Sequence, residues 1–209
     1  MKTRILSLLL ALLLLSPSAF LVSCGRARFE LDTSGDLLTD SKTDRTFVAL
    51  SPAFEPARSA EALGFYRQNK EEVSILVIPT EDQGDLLTDG ATVFCALDPV
   101  PAPSELTVTD AIFCMEDSAS IEVFRFSKSK DADKLLLLRS LFFDGEDASL
   151  PLGAAKLTRR VKLVSEELPL VYYCFDYYKY EDGSAFFYER FSGRTVAIPA
   201  EADALFEVK

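Results

Sequence analysis

The side chains that could do chemistry in this chain are few in kind. Its 209 residues include 33 Asp and Glu, 22 Lys and Arg, four Cys, and neither His nor Trp. Without histidine there is no His-dependent triad and no His-containing metal site. A cysteine nucleophile would lack its commonest base. Cys95, Cys114 and Cys174 also lack the C-x-x-C spacing of a thiolate metal site. They lie in apolar segments and are read as small buried hydrophobes. If two of them pair, Cys95 with Cys114 is the favoured choice, and at most one disulfide can form among the three.

Carboxylates are abundant but unselected. A glycosidase needs two of them, and no motif singles out a pair among 33. Asp32, Asp36, Asp40 and Asp44 recur every fourth residue, and Asp82, Asp85 and Asp89 flank a second, similar segment. Neither set has the D-x-D-x-D-G run that would make oxygens converge on calcium, so these acids are read as turn residues and caps. Lys156, Arg159, Arg160 and Lys162 form the main basic cluster, read as a solvated strand face rather than an anion site. There is no G-x-S-x-G elbow, phosphate loop or dinucleotide fingerprint. No catalytic residue, metal ligand or cofactor is assigned.

Cys24 is different. Lys2 and Arg4 precede an apolar run from Ile5 to Leu15, the length of a secretory core and short for a membrane span. Ser16, Pro17 and Ser18 interrupt it, and Leu21-Val22-Ser23-Cys24-Gly25 follows. That pentapeptide resembles the lipobox of bacterial lipoproteins at every position. The resemblance implies a signal peptide over 1–23 and a diacylglyceryl thioether on Cys24. Two acyl chains suffice for stable anchoring. Cleavage would remove Lys2 and Arg4 and no acid, taking the formal charge from −11 to −13. A surface so acidic disfavours nucleic acid and anionic lipid as partners. Residues 25–46, polar and rich in Asp, Thr and Ser, are expected to be a flexible tether. Residues 47–209 are expected to form a single domain.

One repeat stands out. GDLLTD occurs at 35–40 and at 84–89, followed by FVALSP at 47–52 and FCALDP at 94–99. Two copies of one structural unit are the expectation, without the third copy that a solenoid needs. Residues 56–68 are ambiguous, with Pro56 able to open a short helix. Val73–Ile78 reads as a strand, 99–104 as extended loop, and Ala111–Met115 as a strand or helical turn. Ile121–Phe126 alternates as a half-buried strand, then Ser129 is the predicted N-cap of a helix whose Leu135–Phe143 is apolar over most of its surface and is expected to be buried along most of its circumference. This stretch, SIEVFRFSKSKDADKLLLLRSL, resembles one recurring in small uncharacterised lipoproteins of Gram-positive bacteria, a resemblance that brings no activity with it.

Leu157–Val164 reads as a strand with one wet face. Leu170–Tyr180 and Ala185–Phe191 flank Asp182-Gly183, which predicts a hairpin with a two-residue type I′ turn, Tyr178 opposite Phe187 and Tyr177 opposite Tyr188. The fold class expected is α+β, a mainly antiparallel sheet with one buried helix and a C-terminal β-hairpin. Both faces of that hairpin carry rings, of which only one can meet the core. Tyr178 and Tyr180 are therefore the candidate binding residues. The functional expectation is an extracytoplasmic protein, held to the cell membrane by its lipid, that binds a partner without catalysis. A small module for a sugar or peptide is the alternative, and a carboxylate-dependent hydrolase comes last.

Overall fold

The computed structural model describes residues 26–58, 61–80, 84–96, 99–115 and 118–206, with backbone alone for 118–120. Cys24 and residues 1–23, read above as a signal peptide, lie outside the described residues. The described residues are mostly β: fourteen strands, two α-helices and one 3-10 turn.

The first eight strands are β1 (Ala27–Leu31), β2 (Leu37–Asp40), β3 (Thr46–Ala49), β4 (Phe54–Pro56), β5 (Ala62–Gln68), β6 (Glu71–Val77), β7 (Leu86–Thr88) and β8 (Val93–Cys95). All but β4 close into a barrel in the order β1-β2-β3-β8-β7-β6-β5. Phe29, Leu38, Phe47, Tyr66, Ile75, Leu87 and Phe94 fill it. Closure comes from a parallel pairing of β1 with β5, Ala27 against Gly64. A Cβ at Gly64 would lie 2.1 Å from the Ala27 carbonyl oxygen and 2.7 Å from the Phe29 ring. Only glycine lets the strands approach so closely.

This barrel overturns the tether expected over 25–46. Ala27-Arg28-Phe29-Glu30-Leu31 alternates apolar with polar, as a strand with one buried face must, and Phe29 and Leu38 are core residues. Pro56 opens no helix either; residues 56–68 end one strand and supply another.

The sequence repeat is a structural repeat. In the β2–β3 hairpin Leu37 pairs Val48 and Leu38 pairs Phe47. In β7–β8 the equivalent residues, Leu86 with Cys95 and Leu87 with Phe94, pair identically. Asp40 and Asp89 both close the turn, donating N–H to Arg45 and Thr92 carbonyls at 2.9 and 3.3 Å. The hairpins meet where β3 pairs β8, Val48 against Cys95. Because those two residues are equivalent, a local two-fold axis passes between them.

The remaining strands, β9 (Val108–Met115), β10 (Ser118–Ser127), β11 (Leu157–Ser165), β12 (Val171–Lys179), β13 (Ala185–Tyr188) and β14 (Thr195–Ile198), form a sheet in the order β10-β9-β11-β12-β13-β14. Strand β4 pairs with the start of β12. The helix α1 (Lys128–Asp144) covers one face, with α2 (Ala200–Asp203) beside it. Stacked Phe142 and Phe175 rings, 4.1 Å apart, join α1 to the sheet. The antiparallel sheet, its covering helix and the C-terminal hairpin match the α+β expectation; the closed barrel is additional to it.

Four local readings need correction. α1 is capped at Ser127 rather than Ser129 and is broken by a non-helical Asp131. It buries a stripe, Leu135, Leu138 and Phe142, and leaves Leu136 65% exposed, so it is not covered all round. The hairpin loop has three residues, 181–183, with Gly183 alone at positive φ (88°) and its N–H donated to Tyr180. That loop sets Tyr177 opposite Phe187 and Tyr178 opposite Phe186, one residue from the two-residue register. Pro103–Glu105 is a 3-10 turn within the proline-rich stretch read as extended.

Candidate functional site

Strand alternation decides which side chains share the face that α1 leaves open. Phe113, Val161, Phe175, Tyr177 and Phe187 lie on the covered side. Their neighbours in sequence therefore line the open side. Pairing registers place Cys114, Arg160, Asp176 and Tyr188 in one row across β9, β11, β12 and β13. Ile112, Lys162 and Cys174 form the next row, and Glu55 of β4 stands opposite Tyr172.

The charges in these rows satisfy one another. Asp176 is 1% exposed and accepts from Arg160 Nη1 at 3.2 Å and Arg190 Nε at 2.5 Å. The other arm of Arg160 donates to Glu55. Lys162 Nζ lies 4.0 Å from Glu55 and 5.1 Å above the Tyr172 ring. Burial opposes the Arg160 charge, yet the anionic groups around it, Glu55 and Asp176 among them, hold its pKa above the usual value. Arg160 and Lys162 are thus not the solvated strand face expected, their side chains being 11% and 14% exposed. Arg159 lies on the other parity, opposite Tyr177, and Lys156 is paired with Glu181 at 3.5 Å.

Cys95, Cys114 and Cys174 are buried and form no disulfide, so the Cys95–Cys114 pair is not made. Burial raises the Cys114 thiol pKa, and raises that of Cys174 further, with Glu55 adding to it. Both are held as thiols, the unreactive form.

Half-buried rings share this face with the charges. Tyr172, Tyr178, Tyr180 and Tyr188 are each partly exposed. Tyr178 and Tyr188 have centroids 6.0 Å apart, and Tyr180 packs edge-on to Phe186 at 5.8 Å. The structure thus brings both candidate residues to one face, on a surface shared with two further tyrosines. Strand parity made Tyr172, Tyr178 and Tyr180 findable from sequence. Glu55, Asp176 and Arg190 were missed: β4 reaches β12 only through long-range pairing, and no local signal marks the Asp176–Arg190 pair across the hairpin.

Of the repeat acids, Asp32, Asp40 and Asp89 cap turns, Asp85 pairs with Arg45, and Asp82 lies outside the described residues. Asp32 Oδ1 accepts from the N–H groups of Asp36 and Leu37 at 2.8 and 3.0 Å, and Asp89 Oδ1 from those of Ala91 and Thr92. Backbone and hydroxyl donors lower the Asp32 pKa, that from Ser34 first. Among the described residues no three His, Cys, Asp or Glu side chains gather as metal ligands. A shallow groove of about 390 Å³ runs between the 3-10 turn and α1, lined by Leu106, Thr107, Lys128, Leu135 and Leu136, and Lys128 is paired there with Glu166. No helix among the described residues is long and apolar enough to cross a membrane. No family model, curated protein or solved structure matches this chain.

Proposed function

We propose that this chain is a lipoprotein anchored through Cys24 on the outer side of the cell membrane. Its folded region is a non-enzymatic interaction module, and the open sheet face is its binding surface. One observation carries the reading of the face: four half-exposed tyrosines share it with charges that are already paired. Tyrosine gives large contact area with a polar tip, which suits protein interfaces. A paired network beneath has no activated nucleophile or base to offer a substrate. The acidic surface argues for a protein partner over nucleic acid.

Two substitutions test the reading separately. Cys24→Ala is expected to release the protein from membranes or to leave an unprocessed precursor, and to take up no labelled palmitate. Palmitate that still enters this variant refutes the anchor. In the anchored protein, Tyr178→Ser with Tyr180→Ser is expected to keep the melting temperature within a few degrees while losing crosslinks in native membranes. A large fall in melting temperature would identify these rings as core and end the case for this face.

A further inference from the structure

The lipid anchor and the barrel are separated by almost nothing. Strand β1 begins at Ala27, and only Gly25 and Arg26 stand between it and Cys24. Three residue steps span at most about 11 Å, even fully extended. Resting on the proposed lipidation of Cys24, we infer that the barrel sits directly on the membrane surface, its β1-start end against the lipid headgroups.

The topology says which residues form that end. β1 runs parallel to β5 with Ala27 beside Gly64, so the start of β5 is at the membrane. The loop between β2 and β3 is there too, because the Ser41 N–H donates to the Arg28 carbonyl at 2.9 Å. The β5–β6 turn at Asn69 and Lys70 lies five residues further along β5, about 16 Å away. Exposed Arg28, Lys42 and Arg58 are interspersed with exposed Asp44 and Glu61 at the near end. At the far end Asp32, Asp36 and Glu71 outnumber Lys70. Among the described residues the barrel thus turns its less acidic end toward an anionic bilayer, but the distance is imposed by covalent length and not by charge. Apposition should consequently survive high salt, which screens surface charge.

Energy transfer to lipid headgroups tests this. The acylated full chain is placed in vesicles of phosphatidylcholine and phosphatidylglycerol doped with a rhodamine-headgroup lipid. Donors are attached at Lys42→Cys or Asn69→Cys, the natural thiols being buried. Transfer from position 42 is expected to exceed that from position 69, in low and high salt alike. A long Gly-Ser insertion between Gly25 and Arg26 keeps the lipid and is expected to abolish the difference, because such a linker is a flexible coil. Equal transfer from the two positions in an acylated, vesicle-bound protein would overturn apposition and leave the anchor standing. A chain that carries no acyl group and stays in solution would overturn both.

Discussion

The hydroxyl of Tyr66 donates to Asp89 at 2.9 Å from within the barrel wall. Burial, then the Asp89 carboxylate, pushes its pKa up to about 12. A raised pKa means that folding favours the neutral phenol. The contribution is complete below pH ~10, where unfolded tyrosine is also neutral. It is lost as pH climbs from about 10 toward 12, and amounts to roughly 3 kcal/mol. Wild type is therefore expected to lose more stability over that interval than Tyr66→Phe, measured by urea unfolding at stepped pH. Parallel curves for the two proteins would show that the phenol ionises equally well in the folded barrel. At this scale sequence is readable where partners are near. Asp40 and Asp89 cap turns within three residues of themselves, and residue type suffices to say so. The Arg160 ion pairs join residues 16 and 105 positions apart, and nothing local marks them.

Among the elements, the β1–β5 junction is the most exacting. Every other barrel pairing is antiparallel, and this one is parallel and closes the ring. Gly64→Ala would drive a methyl into the Ala27 carbonyl, which is backbone and cannot swing aside as a side chain can. The expected cost is about 1–3 kcal/mol, that of overpacking a tight site. Hydrogen exchange should show β1 amides losing protection ahead of those in β11. Unchanged protection in β1 would mean that the ring tolerates a wider gap than its geometry implies. Legibility follows the same division. The Ile121–Phe126 strand, the helix after it and the aromatic hairpin announce themselves through periodicity and turn residues. The barrel does not, because its closure is non-local and several of its strands have three or four residues. Polar loops dominate the composition of 25–46 and hide the five-residue alternation of β1. The Tyr178 register slipped by one because Asp-Gly suits both a two-residue loop and the bulged three-residue loop found here.

At the scale of the molecule, a duplicated hairpin serves two unequal ends. The equivalent interior leucines, Leu38 and Leu87, are both fully buried in the barrel. The equivalent outward leucines diverge. Leu86, with Val93 and Cys95, joins the main core against Leu50, Phe54 and the large sheet, whereas Leu37 and Val48 remain 41% and 39% exposed. One copy's outer face is thus the joint between barrel and sheet, and the other's faces water. This asymmetry sets a comparison of four substitutions. Leu38→Ala and Leu87→Ala should cost alike, about 2–5 kcal/mol each, as buried large-to-small changes do. Leu86→Ala should fall in that same range. Leu37→Ala, at the matching position, should cost about 1 kcal/mol or less, in keeping with a surface site. Because Leu86 lies in the core shared by barrel and sheet, its loss should lower both together in one transition. Chemical denaturation followed by tyrosine fluorescence and by far-ultraviolet circular dichroism would report this. Equal losses at 37 and 86 would mean that the barrel bears on the sheet through neither copy in particular, and that the joint lies elsewhere.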